Sequence, residues 1–317
     1  MIQVTIESTD IADFTCDALA LKYAQAFHGL DRIVAATLMD ARHGDLKISP
    51  KPGNYVLIPS EGKVAAHQIL FVGVVSLNEF EYSEIRAFAT RALTILWKEV
   101  PDARHVAMTI HGVNYGLDER EAFLAQLGGI MDAEKKGVLV NRVSIVERDA
   151  RRASRLKTIL KEKWPQSRTA VANAKPQRRP ERITAGADSR SKPHVFVAMP
   201  FSKDLEDIYV FGIQAPVNSA GYLCERVDMV TFTGDILDRI KSRIKTARLV
   251  IADLTGANAN VYLEVGYAWG KNRPTLLLAK KGDDLKFDVR GQRCIVYENI
   301  VDLSKKLQKD LAALETA

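Results

Sequence analysis

Apolar residues recur with two different periods along the first 147 residues of the chain. Short runs rich in Val, Ile and Leu alternate with stretches whose apolar side chains follow the i, i+3, i+4 spacing of one helix face. Predicted strands cover residues 2–6, 18–21, 54–58, 68–74, 106–109 and 142–146, and predicted helices cover residues 30–39, 83–97 and 119–132. This alternation predicts a mixed or parallel sheet covered by helices.

The pattern breaks off between residues 148 and 192. Residues 151–165 predict a short basic helix. Residues 166–192 are rich in Pro, Arg, Ala and Ser and contain almost no large apolar residue. Such a segment cannot offset its ordering entropy by burial, and it is therefore interpreted as a linker. The predicted domains are residues 1–147 and 193–317.

The region after residue 193 alternates strands and helices with short connections. Predicted strands cover residues 194–199, 221–227, 248–253, 274–279 and 293–297, and predicted helices cover 205–219, 234–247, 260–270 and the residues from 302 onward. The run at 248–253 is almost continuously apolar, which is typical of a central parallel strand buried on both faces. The prediction is an α/β protein whose second domain is a Rossmann or flavodoxin-like doubly wound parallel sheet.

Three polar residues mark a candidate site in this second domain. Asp253 is the first polar residue after a buried strand, and ligands of doubly wound sheets bind beyond the carboxyl ends of the strands. Asn260 and Glu264 are four residues apart and therefore share one side of the following helix. The stripe that must face the sheet consists of Val261, Val265 and Ala268. We expect Glu264 to be half buried in the first helical turn, facing Asp253 across a cleft.

This combination suits glycosyl transfer. Glu264 can attack or stabilise an anomeric carbon, Asp253 can hydrogen-bond a sugar hydroxyl or the base, and Asn260 can orient the Glu264 carboxylate. The positive end of the helix suits a phosphate. A structural interpretation stays open, because a Glu near a helix start often serves the helix dipole and an Asp at a strand end often forms a turn.

Further candidates for substrate binding lie in the loops at the same sheet edge. They are Met199, Pro200, Phe201, Asp228 and Arg290. Phe201 can stack on a nucleobase, or it can serve as a plug in the core. Arg290 can bind a phosphate, or it can belong to an ordinary surface turn.

Charge and cysteine content narrow the function classes. The formal charge is +6, but residues 148–192 hold 14 Lys/Arg and 4 Asp/Glu, so the remainder of the chain sums to +6 − 10 = −4. The basic pI therefore describes a linker, and nucleic acid is not favoured as a partner. The three cysteines lack metal-ligand spacing, and no apolar run is long enough for a membrane span. We expect a cytoplasmic protein with no membrane segment, metal or cofactor.

Four segments of the second domain resemble a known family. They read VFVAMPF at 195–201, GDILDRI at 234–240, ARLVIADLT at 247–255 and NVYLEVGYA at 260–268. In the same order, they resemble segments of nucleoside 2-deoxyribosyltransferase-like proteins and of bacterial TIR-like domains. The resemblance implies that Glu264 is catalytic and that Asp253 belongs to the site. Ala259 stands where the family usually has proline.

The first domain resembles the macro-like N-terminal domain of leucine aminopeptidases. The resemblance lies in CDALAL at 16–21, GNYVLIP at 53–59 and ILFVG at 69–73. The metal-binding peptidase domain that follows in that family has no counterpart here, so the resemblance implies no peptidase activity. Leu21 and Lys22 occupy the region where ADP-ribose-binding macro domains have asparagines.

Together the resemblances imply an effector that cleaves an N-glycosidic bond in a nucleotide. The favoured hypothesis is an NAD⁺ glycohydrolase or cyclase in bacterial anti-phage defence, with NAD⁺ as substrate rather than cofactor. The macro-like domain would regulate or oligomerise it, through a ligand, a protein or a second copy in a homo-oligomer. One alternative is a nucleoside or nucleoside-monophosphate N-glycosidase or deoxyribosyltransferase. Another is a non-catalytic module that binds a nucleotide signal.

Overall fold

The computed structural model divides the chain into two compact units. It describes residues 1–41, 47–113, 115–164, 183–227, 234–283, 289 and 291–315. Unit 1 comprises Met1–Gly112 and Glu119–Ser189, and unit 2 comprises Val113–Asp118 and Arg190–Ala317. The α/β class with two domains is confirmed.

Unit 1 is built on a mixed sheet, in agreement with the sequence pattern. Its strands are β1 (Gln3–Glu7), β2 (Ala18–Tyr23), β3 (Tyr55–Pro59), β4 (Gln68–Gly73), β5 (His105–Met108) and β6 (Arg142–Val146). They lie in the order β1-β6-β5-β2-β4-β3, and only the edge pair of β3 and β4 is antiparallel. The helices are α1 (Gly29–Ala41), α2 (Tyr82–Glu99), α3 (Glu119–Lys135) and α4 (Ala150–Lys163).

Helices α2 and α3 approach closely because α3 carries a glycine at their contact. A Cβ atom at Gly129 would lie 2.3 Å from the backbone oxygen of Arg86. The Thr90 hydroxyl donates a hydrogen bond of 2.9 Å to the Gly129 carbonyl, which ties the two helices together. The apolar face of α2 is buried as predicted, from Ile85 to Leu96.

The basic helix expected at 151–165 is α4, and it packs within unit 1. Arg152 and Arg155 both donate hydrogen bonds to the Glu119 carboxylate, at 3.1 Å and 2.7 Å. The Glu119 side chain is only 8% exposed, so these ion pairs are shielded from water. The helix is therefore fixed to α3 rather than carried on a linker.

Residues 183–189 also belong to unit 1. The Arg86 guanidinium donates a hydrogen bond of 2.9 Å to the Ile183 carbonyl. The linker expected over residues 166–192 thus ends in packed structure, and its first part, residues 166–182, lies outside the described residues.

Unit 2 has the doubly wound topology that the sequence predicted. Its strands are β7 (His194–Ala198), β8 (Leu223–Glu225), β9 (Leu249–Asp253), β10 (Thr275–Lys280) and β11 (Cys294–Tyr297). All neighbours pair in parallel in the order β11-β10-β9-β7-β8, which is the flavodoxin-like order 2-1-3-4-5. Every residue of β9 is buried, as expected for the central strand.

Helices cover both faces of this sheet. One face packs against a π-helical segment (Ile208–Gln214), α5 (Ala215–Ser219) and α8 (Ile300–Glu315). The other face packs against α6 (Gly234–Thr246) and α7 (Ala259–Gly270). The sequence predicted one helix over 205–219 and did not indicate its π-helical start.

A short segment from the middle of the chain belongs to unit 2, which the expected boundary at residue 147 did not anticipate. In Val113–Asp118, the Asp118 carboxylate accepts a hydrogen bond of 3.0 Å from the buried backbone N–H of Cys224. Tyr115 forms an antiparallel bridge with Val227. The segment therefore extends unit 2 beside β8.

The two helical glycines at 129 and 266 should respond oppositely to the same substitution. We expect Gly129→Ala to destabilise the protein by about 1–3 kcal/mol, because the new methyl group would overlap the α2 backbone. Gly266→Ala, in α7, adds a methyl group with no atom within 4 Å and should stabilise by about 0.5–1 kcal/mol. Thermal denaturation of both variants measures the two effects, and equal signs would contradict the packing described.

Candidate active site

The candidate site begins with the start of α7. The Asn258 side chain caps the helix by accepting a hydrogen bond of 3.0 Å from the Asn260 backbone N–H. The stripe predicted to face the sheet, from Val261 to Ala268, is buried. This orientation leaves Glu264 half buried beside the stripe, as expected, although it lies in the second turn because α7 begins at Ala259.

Glu264 lines a cavity between α6 and α7. The cavity has a volume of about 260 Å³. Its walls are formed by Leu237, Ile240, Lys241, Ile244, Asn260, Leu263, Glu264 and Tyr267. Most of these side chains are apolar, so a group bound there leaves water and faces a carboxylate. Asn260 and Glu264 thus share one cavity, as predicted from their spacing.

The surroundings of Glu264 change its acid strength. Burial raises the pKa of Glu264 to about 7, because the apolar walls disfavour the ionised form. The side chain is therefore divided between its acid and carboxylate forms near neutral pH. A carboxyl group in this range can donate a proton, accept one or act as a nucleophile.

Asp253 has a different environment from the one the sequence suggested. It lies at the carboxyl end of β9 and is fully buried. Its Oδ1 accepts hydrogen bonds from the Thr255 hydroxyl at 2.6 Å and the Thr255 backbone N–H at 3.0 Å. Its Oδ2 accepts a hydrogen bond of 3.0 Å from the Tyr297 hydroxyl. Burial raises the pKa of Asp253, and these hydrogen bonds oppose the shift.

The two acidic residues therefore do not line one common cavity. Asp253 is absent from the walls of the cavity that contains Glu264. Its hydrogen bonds run to the turn after β9 and, through Tyr297, to β11. These hydrogen bonds give Asp253 a structural role, because they fix the turn that leads into α7. The role of direct substrate contact remains a prediction for Asp253.

The end of β7 supplies the other predicted residues that the structure describes. Phe201 is 58% exposed, which excludes a core plug and leaves its ring accessible to a ligand. Pro200 is half buried. The Met199 sulfur, also half buried, accepts a hydrogen bond of 3.5 Å from Arg226. The two remaining candidates, Asp228 and Arg290, lie outside the described residues.

Sequence reasoning missed the partners of the site. Tyr297 lies 44 residues after Asp253, and only the sheet order brings its hydroxyl to that carboxylate. The contribution of Lys241 and Tyr267 to the cavity was also missed. The sequence predicted the helix over 234–247 that becomes α6, but it did not show that part of the apolar face of α6 would remain open toward α7.

In unit 1, the residues of the macro-like resemblance have structural partners. The Asp17 carboxylate accepts hydrogen bonds of 2.8 Å from the backbone N–H groups of Arg104 and His105, which joins the starts of β2 and β5. Lys22 and Asp31 form a buried ion pair with a 2.5 Å contact at the other end of β2.

Two kinds of feature are absent from the described residues. They contain no group of three or more His, Cys, Asp or Glu side chains placed to hold a metal ion. Within the same part of the chain, no helix is both long and apolar enough to cross a membrane.

Comparison with known proteins gives structural similarities at low sequence identity. No family model and no curated protein matches the sequence. A macrodomain of Oceanobacillus iheyensis with MES bound is similar over 50% of this chain and 89% of its own, with 15% identity and a TM-score of 0.40. A Trypanosoma brucei macrodomain in complex with ADP covers 50% of this chain and 69% of its own, with 14% identity and a TM-score of 0.41. The CMP N-glycosidase of Clostridium botulinum covers 36% of this chain and 98% of its own, with 18% identity and a TM-score of 0.31.

The bond between Tyr297 and Asp253 should be important for stability. We expect Tyr297→Phe to destabilise the protein by about 1–3 kcal/mol, because one oxygen of a buried carboxylate loses its donor. Tyr222→Phe, at a half-buried tyrosine of the same unit, is the matched control and should change stability by less than about 0.5 kcal/mol. Chemical denaturation compares the two, and an equal loss in both would show that the hydroxyl of Tyr297 has no special role.

Proposed function

We propose that unit 2 cleaves the N-glycosidic bond of NAD⁺ and releases nicotinamide, with Glu264 as the catalytic residue. The observation that carries the proposal is the position of Glu264 in an apolar cavity that raises its pKa to about 7. The motif around Glu264 supports the same assignment through its resemblance to nucleoside 2-deoxyribosyltransferase-like proteins and TIR-like domains.

The chemistry of NAD⁺ suits a single carboxylate. Its nicotinamide ring nitrogen already carries a positive charge, so the base departs with the bonding electrons as a neutral molecule and needs no proton. The ionised Glu264 stabilises the cationic C1′ or forms a transient ester with it. Water then adds its oxygen to C1′, and Glu264 or solvent takes the released proton. The products are nicotinamide and ADP-ribose.

The walls of the cavity strengthen this effect. Low polarity increases the attraction between the Glu264 carboxylate and the developing positive charge of the ribose. Tyr267 on the same wall offers an aromatic ring to a flat base. Exposed Phe201 offers a second ring at the end of β7.

The role of the whole chain extends the proposal. In this account unit 2 is a bacterial anti-phage effector in the cytoplasm, and unit 1 regulates or oligomerises it. The support is the pairing of two α/β units in one chain, which a housekeeping deoxyribosyltransferase does not need. A homo-oligomer and a regulatory ligand or protein on unit 1 are part of this proposal.

The raised pKa of Glu264 also favours a second candidate. A nucleoside or nucleoside monophosphate releases a base that usually needs a proton, and a carboxyl group with a pKa of about 7 can supply it at neutral pH. Release of free base from a panel of nucleosides and nucleotides separates this candidate from the first. A nucleotide-induced thermal shift that survives Glu264→Gln without turnover would instead support a binding module.

The central experiment removes the carboxylate while keeping the shape of the side chain. We expect Glu264→Gln to lower nicotinamide release from NAD⁺ by at least about 100-fold, because the amide cannot ionise. The matched control is Glu298→Gln, a surface position in unit 2 whose change should leave the rate within twofold, roughly, since surface charges contribute little. The products are measured both with and without an extract of phage-infected cells, because the extract would supply an activator if the enzyme needs one. No release in either condition, or release that is unaffected by Glu264→Gln, excludes the proposal.

The pKa of Glu264 also predicts a pH dependence. The unfolded chain ionises Glu264 from about pH 4.5 upward, whereas the folded protein ionises it only near pH 7. The free energy of unfolding therefore falls as the pH rises through this range, and the loss is complete above about pH 7. Glu264→Gln should therefore stabilise the protein by about 1–3 kcal/mol at pH 8 and by nearly nothing at pH 4. Denaturation curves at both pH values measure this difference. If the attacking form is the carboxylate, activity on NAD⁺ should rise with pH around a midpoint near 7.

A further inference from the structure

A second cavity, wide open to solvent, lies in unit 1 between α2 and α3. It has a volume of about 700 Å³, and its walls include Arg86, Arg91, Lys135, Lys136 and Asp132. Cavities of roughly 300–1,000 Å³ are typical of small-molecule sites. We name it the α2–α3 cavity.

Its walls carry an excess of positive charge. The only carboxylate among them, Asp132, is paired with Arg86 through hydrogen bonds of 2.7 Å and 3.1 Å. Lys135 lies 3.9 Å from the same carboxylate and its side chain is 62% exposed, so this pair is weak. Arg91, Lys135 and Lys136 therefore line the cavity with charge that Asp132 does not neutralise. One nitrogen of Arg91, Nη1, donates a hydrogen bond of 3.5 Å to the Gly73 carbonyl.

The two helices that carry the cationic residues are fixed against each other. Gly129 holds α2 and α3 in close contact, and Arg86 is fixed by Asp132 and by the Ile183 carbonyl. The hydroxyl of Thr94, another wall residue, donates to the Thr90 carbonyl and is committed to the helix. The groups that remain to bind a ligand are thus guanidinium and ammonium groups, which recognise phosphate oxygens.

We propose that the α2–α3 cavity binds a small phosphate-bearing anion of about nucleotide size. The ligand places its phosphates between Arg91 on α2 and the Lys135–Lys136 pair at the end of α3. This site is separate from the Glu264 cavity, and its occupancy does not depend on the activity of unit 2.

The test measures binding of inorganic tripolyphosphate to the full chain by calorimetry. Lys135→Glu with Lys136→Glu, both exposed positions, should weaken binding at least tenfold, and raising the salt concentration should weaken it further. The matched control is Lys305→Glu with Lys309→Glu on the exposed side of α8, which makes the same change in net charge and should leave affinity within twofold, roughly, because distant surface charges are screened. Equal losses in both double variants would overturn the proposal.

A third variant separates the cavity from the surrounding surface. Ala87→Phe places an aromatic ring in the α2–α3 cavity without changing the charge and should weaken tripolyphosphate binding. Unchanged affinity in this variant, with an unchanged circular dichroism spectrum, would place the anion on the outer surface and overturn the proposal. Comparing ADP, tripolyphosphate and adenosine then identifies the ligand part that is recognised. The lysine variants should weaken ADP binding and leave any adenosine binding unchanged, whereas an adenosine affinity that depends on these lysines would overturn it.

Discussion

The reaction that we propose for unit 2 depends on one unfavourable interaction, the contact of an ionisable carboxyl group with an apolar cavity. Glu264 is held there because the buried stripe of α7 fixes the rotation of the helix, and the stripe packs on the sheet. The helix cannot turn Glu264 toward water without exposing Val261 and Val265. The hydrophobic packing of α7 therefore offsets the free-energy cost of a poorly solvated carboxylate.

Asp253 is a second buried carboxyl group, but hydrogen bonds compensate for its burial. It is more deeply buried than Glu264, but its oxygens accept hydrogen bonds from Thr255 and Tyr297. A carboxylate with satisfied hydrogen bonds shapes its surroundings, whereas one in an apolar cavity is available for reaction. Two acidic residues that look equivalent in the sequence are thus distinguished by their partners.

The sequence predicted the elements well and their partners poorly. Periodicity identified the buried face of α7 and the central position of β9, because both depend on local spacing. Spacing also placed Asn260 and Glu264 together. The pairing of Asp253 with Tyr297 depends on the order of strands in the sheet, and the cavity beside Glu264 depends on how α6 packs. Neither is encoded in a local pattern. The structural role of α4 was missed because its many charges resemble those of a linker, while its Arg–Glu119 ion pairs form only in the folded unit.

The segment Val113–Asp118 has a consequence for how the protein is made. It contributes to unit 2, yet it is synthesised before α3, β6 and α4 of unit 1. The backbone N–H of Cys224 donates a hydrogen bond to the carboxylate of Asp118, which lies 106 residues earlier in the chain. During synthesis, Val113–Asp118 therefore leaves the ribosome before the strands of unit 2 with which it packs. A fragment that begins at Arg190 lacks this segment, so no single continuous stretch of the chain contains all of unit 2 without also containing part of unit 1.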